Sequence, residues 1–158
     1  MENINETPTQ FVTYIEKLSR LHKEVKHSTT EKHFFRGEID EFFMGIRNKV
    51  RFPAIISEGY DLYYDESKQR NSSFIVCQQY KEDDNYDQIQ SAWADCERIG
   101  EDFLRRMIDN PDEICGNFQY STGEMIQNEQ EKYVGIRFSI SLISEFDDEI
   151  DETKWSDL

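Results

Sequence analysis

The side chains able to do chemistry are thinly spread along this 158-residue chain. The histidines are His22, His27 and His33, and the cysteines are Cys77, Cys96 and Cys115. A zinc site draws its ligands from close-set pairs such as HxxxH, HExxH or CxxC, because one turn or one helix face then supplies two of them. None of these patterns occurs. His22 and His27 are five residues apart, which is not a same-face spacing on a helix. Three cysteines without a CxxC read as buried, reduced thiols of an intracellular protein. A phosphate-binding loop needs clustered glycines, and Gly37, Gly45, Gly59, Gly100, Gly116, Gly123 and Gly135 are scattered. There is no GxSxG, and no Ser or Cys has an evident base.

The acidic residues number 33, so pairs among them are unavoidable. Asp83, Asp84 and Asp87 could hold a divalent cation, but they read as capping acids at a helix start, where the helix dipole favours negative charge. Asp147, Asp148, Glu149, Asp151 and Glu152 could bind calcium weakly, yet they lack the glycine-punctuated loop of an EF-hand. Glu38, Asp40 and Glu41 beside Arg36 read as surface charges. The expectation is therefore no catalytic residue, no metal and no cofactor, and a protein that is not an enzyme. An unrecognised carboxylate site is the weakest alternative; it would need acids clustered in a pocket.

Thr7-Pro8-Thr9-Gln10 is a helix start. Phe11, Ile15, Leu18, Leu21, His22 and Val25 continue it as one stripe, predicting a helix from Pro8 to about Lys26. Residues 31–49 read as a short strand at HFFR followed by a helical turn. FPAIISEGYDLYYD (52–65) and FIVCQQY (74–80) predict two antiparallel strands joined by a polar connector over 66–73. Pro53 sets the start of the first before its ladder begins. Tyr86, Ile89, Trp93, Cys96, Gly100, Phe103 and Met107 recur every three or four residues, which predicts a long helix with a core-facing seam. Asp84 is its expected N-cap and Asn110-Pro111 its stop. Residues 117–127 and 132–144 predict a second hairpin. Its last strand alternates strictly, with Val134, Ile136, Phe138, Ile140 and Leu142 on one face. The fold expected is α+β: a two-layer sandwich of a mainly antiparallel sheet with two helices on one face, in the order α-β-β-α-β-β. Residues 1–144 form that single domain, and 145–158 form an acidic C-terminal arm.

The formal charge of −15 argues against a reader of phosphate backbones, which needs clustered Lys and Arg. MENINETPTQ has no basic region followed by an apolar stretch, and no run is long enough to span a membrane. Aromatic content of 13% is too high for a chain disordered throughout. In the first hairpin, alternation puts Tyr60, Leu62 and Tyr64 on one face and Asp61 with Tyr63 on the other. Tyr63 is then the most exposed of the three tyrosines, and exposed tyrosines are enriched at interfaces.

The order of elements, carried by FPAIISEGYDL, YDQIQSAWADCERIGEDFLRRM, KYVGIRFSISLI and the KWSDL ending, resembles small virion proteins of tailed phages and prophages of gut bacteria. It is similar to the tail-terminator and head–tail-joining (neck) proteins, over about Pro8 to Leu158. The resemblance implies a structural subunit that forms a ring at the phage neck or tail end and either terminates the tail or joins it to the capsid. Its implied partners are copies of itself and neighbouring neck or tail proteins. No specific nucleic-acid binding is implied, although a DNA channel would pass nearby, and no membrane is involved. The implied location is the virion, with synthesis in the bacterial host cytoplasm. A different class remains open beside it: a small acidic adaptor or inhibitor from a mobile element, one that mimics nucleic acid by its charge.

The ending SEFDDEIDETKWSDL departs from that family pattern. Seven of its fifteen residues are acidic, yet Phe146, Ile150, Trp155 and Leu158 punctuate it. Burying one large aromatic is worth about 2–3 kcal/mol, less than the cost of ordering a dozen residues unless further anchors help. The pattern reads as an extended arm docked by these four residues, on the chain's own body or on a neighbour, or ordered by a partner. The interface residues expected are Tyr60, Tyr63, Tyr64, Phe146, Ile150, Trp155 and Leu158.

Overall fold

The computed structural model describes residues 8–42, 49–81, 85–109 and 117–157. The elements run α1 (Pro8–Leu21), β1 (Phe34–Arg36), α2 (Ile39–Glu41), β2 (Ala54–Tyr64), β3 (Ser67–Gln79), α3 (Tyr86–Asp109), β4 (Asn117–Asn128) and β5 (Tyr133–Glu145), with a 3-10 turn at Glu152–Lys154. The protein is α+β, and its mixed sheet has the strand order β1-β2-β3-β5-β4. All pairings are antiparallel except one: β1 lies parallel to β2, with Phe34 opposite Ile55. The short strand and helical turn expected over 31–49 are β1 and α2, and residues 43–48 lie outside the described residues.

The two long helices share one apolar cluster with the sheet. Phe11, Ile15 and Leu18 of α1 and Ile89, Cys96, Ile99, Phe103 and Met107 of α3 meet Ile55, Phe74 and Val76 and the alternating inward set of β5. The opposite sheet face has a smaller cluster, in which Phe35, Phe42, Ile56, Ile75, Cys77 and Tyr133 pack together. Both Cys77 and Cys96 are buried, and burial pushes the Cys96 thiol up to about 12 and raises that of Cys77 as well, so neither is a nucleophile at neutral pH. Cys115 lies outside the described residues.

The α3 seam has a tight point. An added Cβ at Gly100 would sit 2.0 Å from Phe138 Cε2. Glycine there lets the helix drop onto a stack in which the Phe74 ring lies 5.2 Å from Phe138 and 5.5 Å from Phe103. The seam is narrower than its spacing predicts. Tyr86 is exposed, and Trp93 is half-buried at the edge of the main cluster. The cap is one residue later than expected: Asn85 Oδ1 accepts from Gln88 N–H at 3.1 Å, while Asp84 lies outside the described residues.

Two further expectations are corrected. Helix α1 stops at Leu21, because His22 turns its ring back to accept the Glu24 amide at 3.2 Å and the chain reaches a positive φ of 53° at Lys26. The stretch 66–73 is not a connector: β3 begins at Ser67 and is paired on both sides. Its polar residues hide the strand, since backbone bonds to β2 and β5 hold it without an apolar stripe. Arg70, opposite Leu62 and Leu142, is fully buried there.

Candidate partner interface

The end of the sheet where β2 turns into β3 carries the tyrosines singled out in the sequence. Between Ser57 and Tyr60 the register of β2 against β3 shifts, so that Glu58 and Gly59 together oppose Ser73. This bulge reverses the parity of the strand. Before it, Ile55 shares the main helix-side cluster; after it, Leu62 and Tyr64 stand opposite Arg70 and Lys68. Tyr60 pairs with Ser72 along the backbone, its side chain lying outside the described residues, and Tyr63 pairs with Gln69 on the side opposite Tyr64. Tyr63 is 58% exposed and Tyr64 48%. The hairpin closes at Asp65, whose carboxylate accepts from the Ser67 amide at 2.8 Å and the Ser67 hydroxyl at 2.9 Å. These bonds hold the Asp65 carboxyl below its ordinary range. The hairpin does not reach out alone, because β5 runs beside β3 as far as Ser67 opposite Glu145.

The arm leaves from that point. Phe146 follows β5 directly and meets the Tyr64 ring edge-on at 5.1 Å, while staying 43% exposed. Beyond it the backbone is held by local turns. Asp147 Oδ1 accepts from the Glu149 amide at 3.0 Å, and Asp151 Oδ1 accepts from the Thr153 amide and hydroxyl at 3.1 and 2.6 Å. Ile150 and Trp155 are exposed. The structure thus brings Tyr64 and Phe146 together, puts Tyr63 on the opposite face, and presents Ile150 and Trp155 outward. Leu158 lies outside the described residues.

A polar bar crosses the outer face behind this end. Arg137 of β5 donates from Nε and Nη2 to the two oxygens of Glu58 at 2.6 and 3.0 Å, and from Nη1 to Glu124 of β4 at 3.0 Å. Ser73 of β3 donates to Glu58 Oε1 at 2.9 Å. Four strands are tied by side chains in this way. The carboxylate hydrogen bonds raise the guanidinium pKa above its usual value. The bar lines one wall of a shallow polar cavity of about 530 Å³ that also contains Asp61, Asn71 and Ser139. The bulge that aims Glu58 at Arg137 had no signature in the sequence beyond an isolated glycine in a strand, Gly59.

One further cluster joins residues that no sequence spacing linked. His22, Glu24 and Asp102 place ligand atoms within 4.8 Å of one another. Each is already engaged. His22 Nδ1 accepts the Glu24 amide, which leaves Nε2–H to donate to Asp102 at 3.0 Å. Glu24 holds Arg98, and Asp102 also accepts from Arg105 at 3.0 Å. The cluster works as a clasp between the end of α1 and the middle of α3, where His22 also packs against Phe103 at 5.9 Å.

No family model matches this chain, and no curated protein matches it. Among the described residues, no helix is long and apolar enough to cross a membrane.

Proposed function

We propose that the chain is a structural, non-enzymatic subunit of a tailed-phage or prophage particle, which assembles into a ring at the neck or tail end and terminates the tail or joins it to the capsid. The reading takes the fold as a two-layer sandwich with α1 and α3 on one sheet face. It takes the working partners to be copies of the chain and adjoining virion proteins. The observation that carries it is the contrast between a filled core and an open sheet end. There Tyr63, Tyr64 and Phe146 stay exposed and an acidic arm presents Ile150 and Trp155. Large aromatics spaced along an arm suit heterologous contacts, in which one copy's arm lies on the next and the ring closes. Acids between them keep an undocked arm soluble and, around a channel, would repel a DNA duplex so that it slides without sticking.

The nucleic-acid mimic is the weaker reading, since the acids of α3 are interleaved with cations that neutralise them: Arg98 pairs with Asp95, and Arg105 pairs with Glu101 and Asp102. The test is the mass of the full chain by light scattering, alone and after deletion of residues 145–158. A large discrete oligomer that collapses on deletion is expected. A copy number unchanged by the deletion overturns the arm-linked ring.

A further inference from the structure

Among the described residues, strand β4 is a sheet edge without the usual protections. It pairs with β5 on one side, and among the described residues no strand lies on the other. Edges of this kind invite pairing, and proteins blunt them with lysines, prolines, short length or a covering element. β4 is twelve residues long, NFQYSTGEMIQN, with no lysine and no proline. Its single charge, Glu124, is held by Arg137. A near-neutral twelve-residue edge is unexpected in a chain of net charge −15. Helix α3 packs on β3 and β5, leaving an open groove of about 560 Å³ between the helix and β4, with Trp93 and Leu104 on its wall and Met125 and Phe138 on its floor. Tyr120 and Met125 are more than half exposed.

We propose that β4 pairs antiparallel with β4 of a second copy, about a two-fold axis through Gly123, so that two five-stranded sheets become one. Antiparallel partners must share a face, which restricts the possible registers to alternate ones. With Gly123 opposite itself, Tyr120 meets Ile126 on the outer face, Ser121 meets Met125 on the helix side, and Glu124 meets Thr122. The register thus matches apolar to apolar at its ends and sets no charge against its like. The one residue that must face its own copy has no side chain. The irregularity between Phe118 and Tyr120 ends the regular ladder on one side, and symmetry ends it at Ile126 on the other. Along the strand itself the one charge is already paired, so the acids nearest the contact are Glu97 and Glu101 on the groove wall rather than on the edges that touch.

This contact is isologous and closes at two copies. It uses neither the hairpin end nor the arm, so it stands or falls apart from the ring. If the arm does not build a ring, the full chain weighs twice 18.9 kDa; if it does, the contact joins two rings and the assembly contains an even number of copies.

The test uses the full chain. Gly123→Glu sets two carboxylates face to face at the axis, beside Glu97 and Glu101 on each groove wall, and the copy number is expected to halve, whichever assembly is present. The fold should tolerate the change, since a Cβ at 123 meets Ile136 Cγ2 at an ordinary 3.6 Å. Unchanged far-ultraviolet circular dichroism and thermal midpoint check this. Independently, Gly123→Cys in a Cys115→Ser background is expected to form a disulfide-linked dimer under mild oxidation, whereas Glu129→Cys in the following turn should not. A full chain that stays monomeric across a concentration series, a copy number that survives Gly123→Glu, or a failure of Gly123→Cys to cross-link overturns the proposal.

Discussion

Two groups of aromatic rings lie at different places on the same sheet and have opposite fates. Phe74, Phe103 and Phe138 stack at its centre and are nearly removed from water. Tyr64 and Phe146 meet at its end, with Tyr63 on the other face, and all three remain open. Ring chemistry does not explain the difference. At the centre, a helix with a glycine at the contact point lowers itself onto the rings, and alternating β5 residues fill the gaps. At the end, among the described residues, the chain that follows is an acidic arm held by its own turns. An aromatic becomes core only when an element with a matching apolar stripe is available to cover it. Rings left at the end of a strand without such a cover are free to serve a partner.

The buried stack at the centre of the sheet should respond most strongly to substitution. Phe103→Ala should cost about 3–5 kcal/mol, read from the urea midpoint at constant m-value. A loss below about 1 kcal/mol would mean that the stack is not what closes the core. Gly100→Ala comes next and tests the sign. In an exposed helix it would stabilise by about 1 kcal/mol. Here the added methyl collides with Phe138, and a net loss of about 1–3 kcal/mol is expected.

Titration separates the regions as well. His27 sits under α1, with Nδ1 accepting the His33 amide at 3.0 Å and Nε2 3.5 Å from Glu16. Burial holds its pKa below the ordinary value of 6.5, against the pull of Glu16. The unfolded chain therefore takes up the proton first. Stability is full above the unfolded pKa and declines as pH falls from about 6.5 through the folded value. His27→Gln should flatten that segment of a plot of thermal midpoint against pH, and an unchanged slope would assign it elsewhere. The smallest effects belong to the open end. Tyr64→Ala should cost about 0.5–1 kcal/mol through loss of the edge contact with Phe146. Trp155→Ala should stay within about 0.5 kcal/mol while weakening assembly. A large stability loss from Trp155→Ala would place that ring in the chain's own core.

How much of this was legible in the sequence follows from which forces leave a pattern. The α3 seam and the β5 alternation were readable, because burial of one face imposes a period on side-chain type. The first half of β3 was not. KQRNSS is fixed by backbone bonds on both sides, which any residue but proline can make, and its buried Arg70 looks like a surface residue in one dimension. Trp93 has the right spacing for the core but faces the groove beside β4, where, among the described residues, no second helix lies over it. The clasp of His22 with Asp102 spans 80 positions, and the bulge at Glu58 and Gly59 depends on a pairing partner. The clasp leaves no local trace, and the bulge leaves only the isolated Gly59. Of the interface residues, the meeting of Tyr64 with Phe146 depends on how far β5 extends beside β3, which spacing alone does not reveal.

The polar bar across the outer face solves a problem of alignment. The inward residues of β5 are so alike that a slip of two positions along β3 would keep every apolar side chain inward and nearly every backbone bond intact. Hydrophobic pattern alone is a weak ruler for such a strand. The slip would, however, carry Arg137 about 7 Å along the sheet. Glu58 would then lose both bonds of its fork while still enclosed. One guanidinium therefore acts as an indexing pin, making a single setting of four strands distinguishable from its near copies.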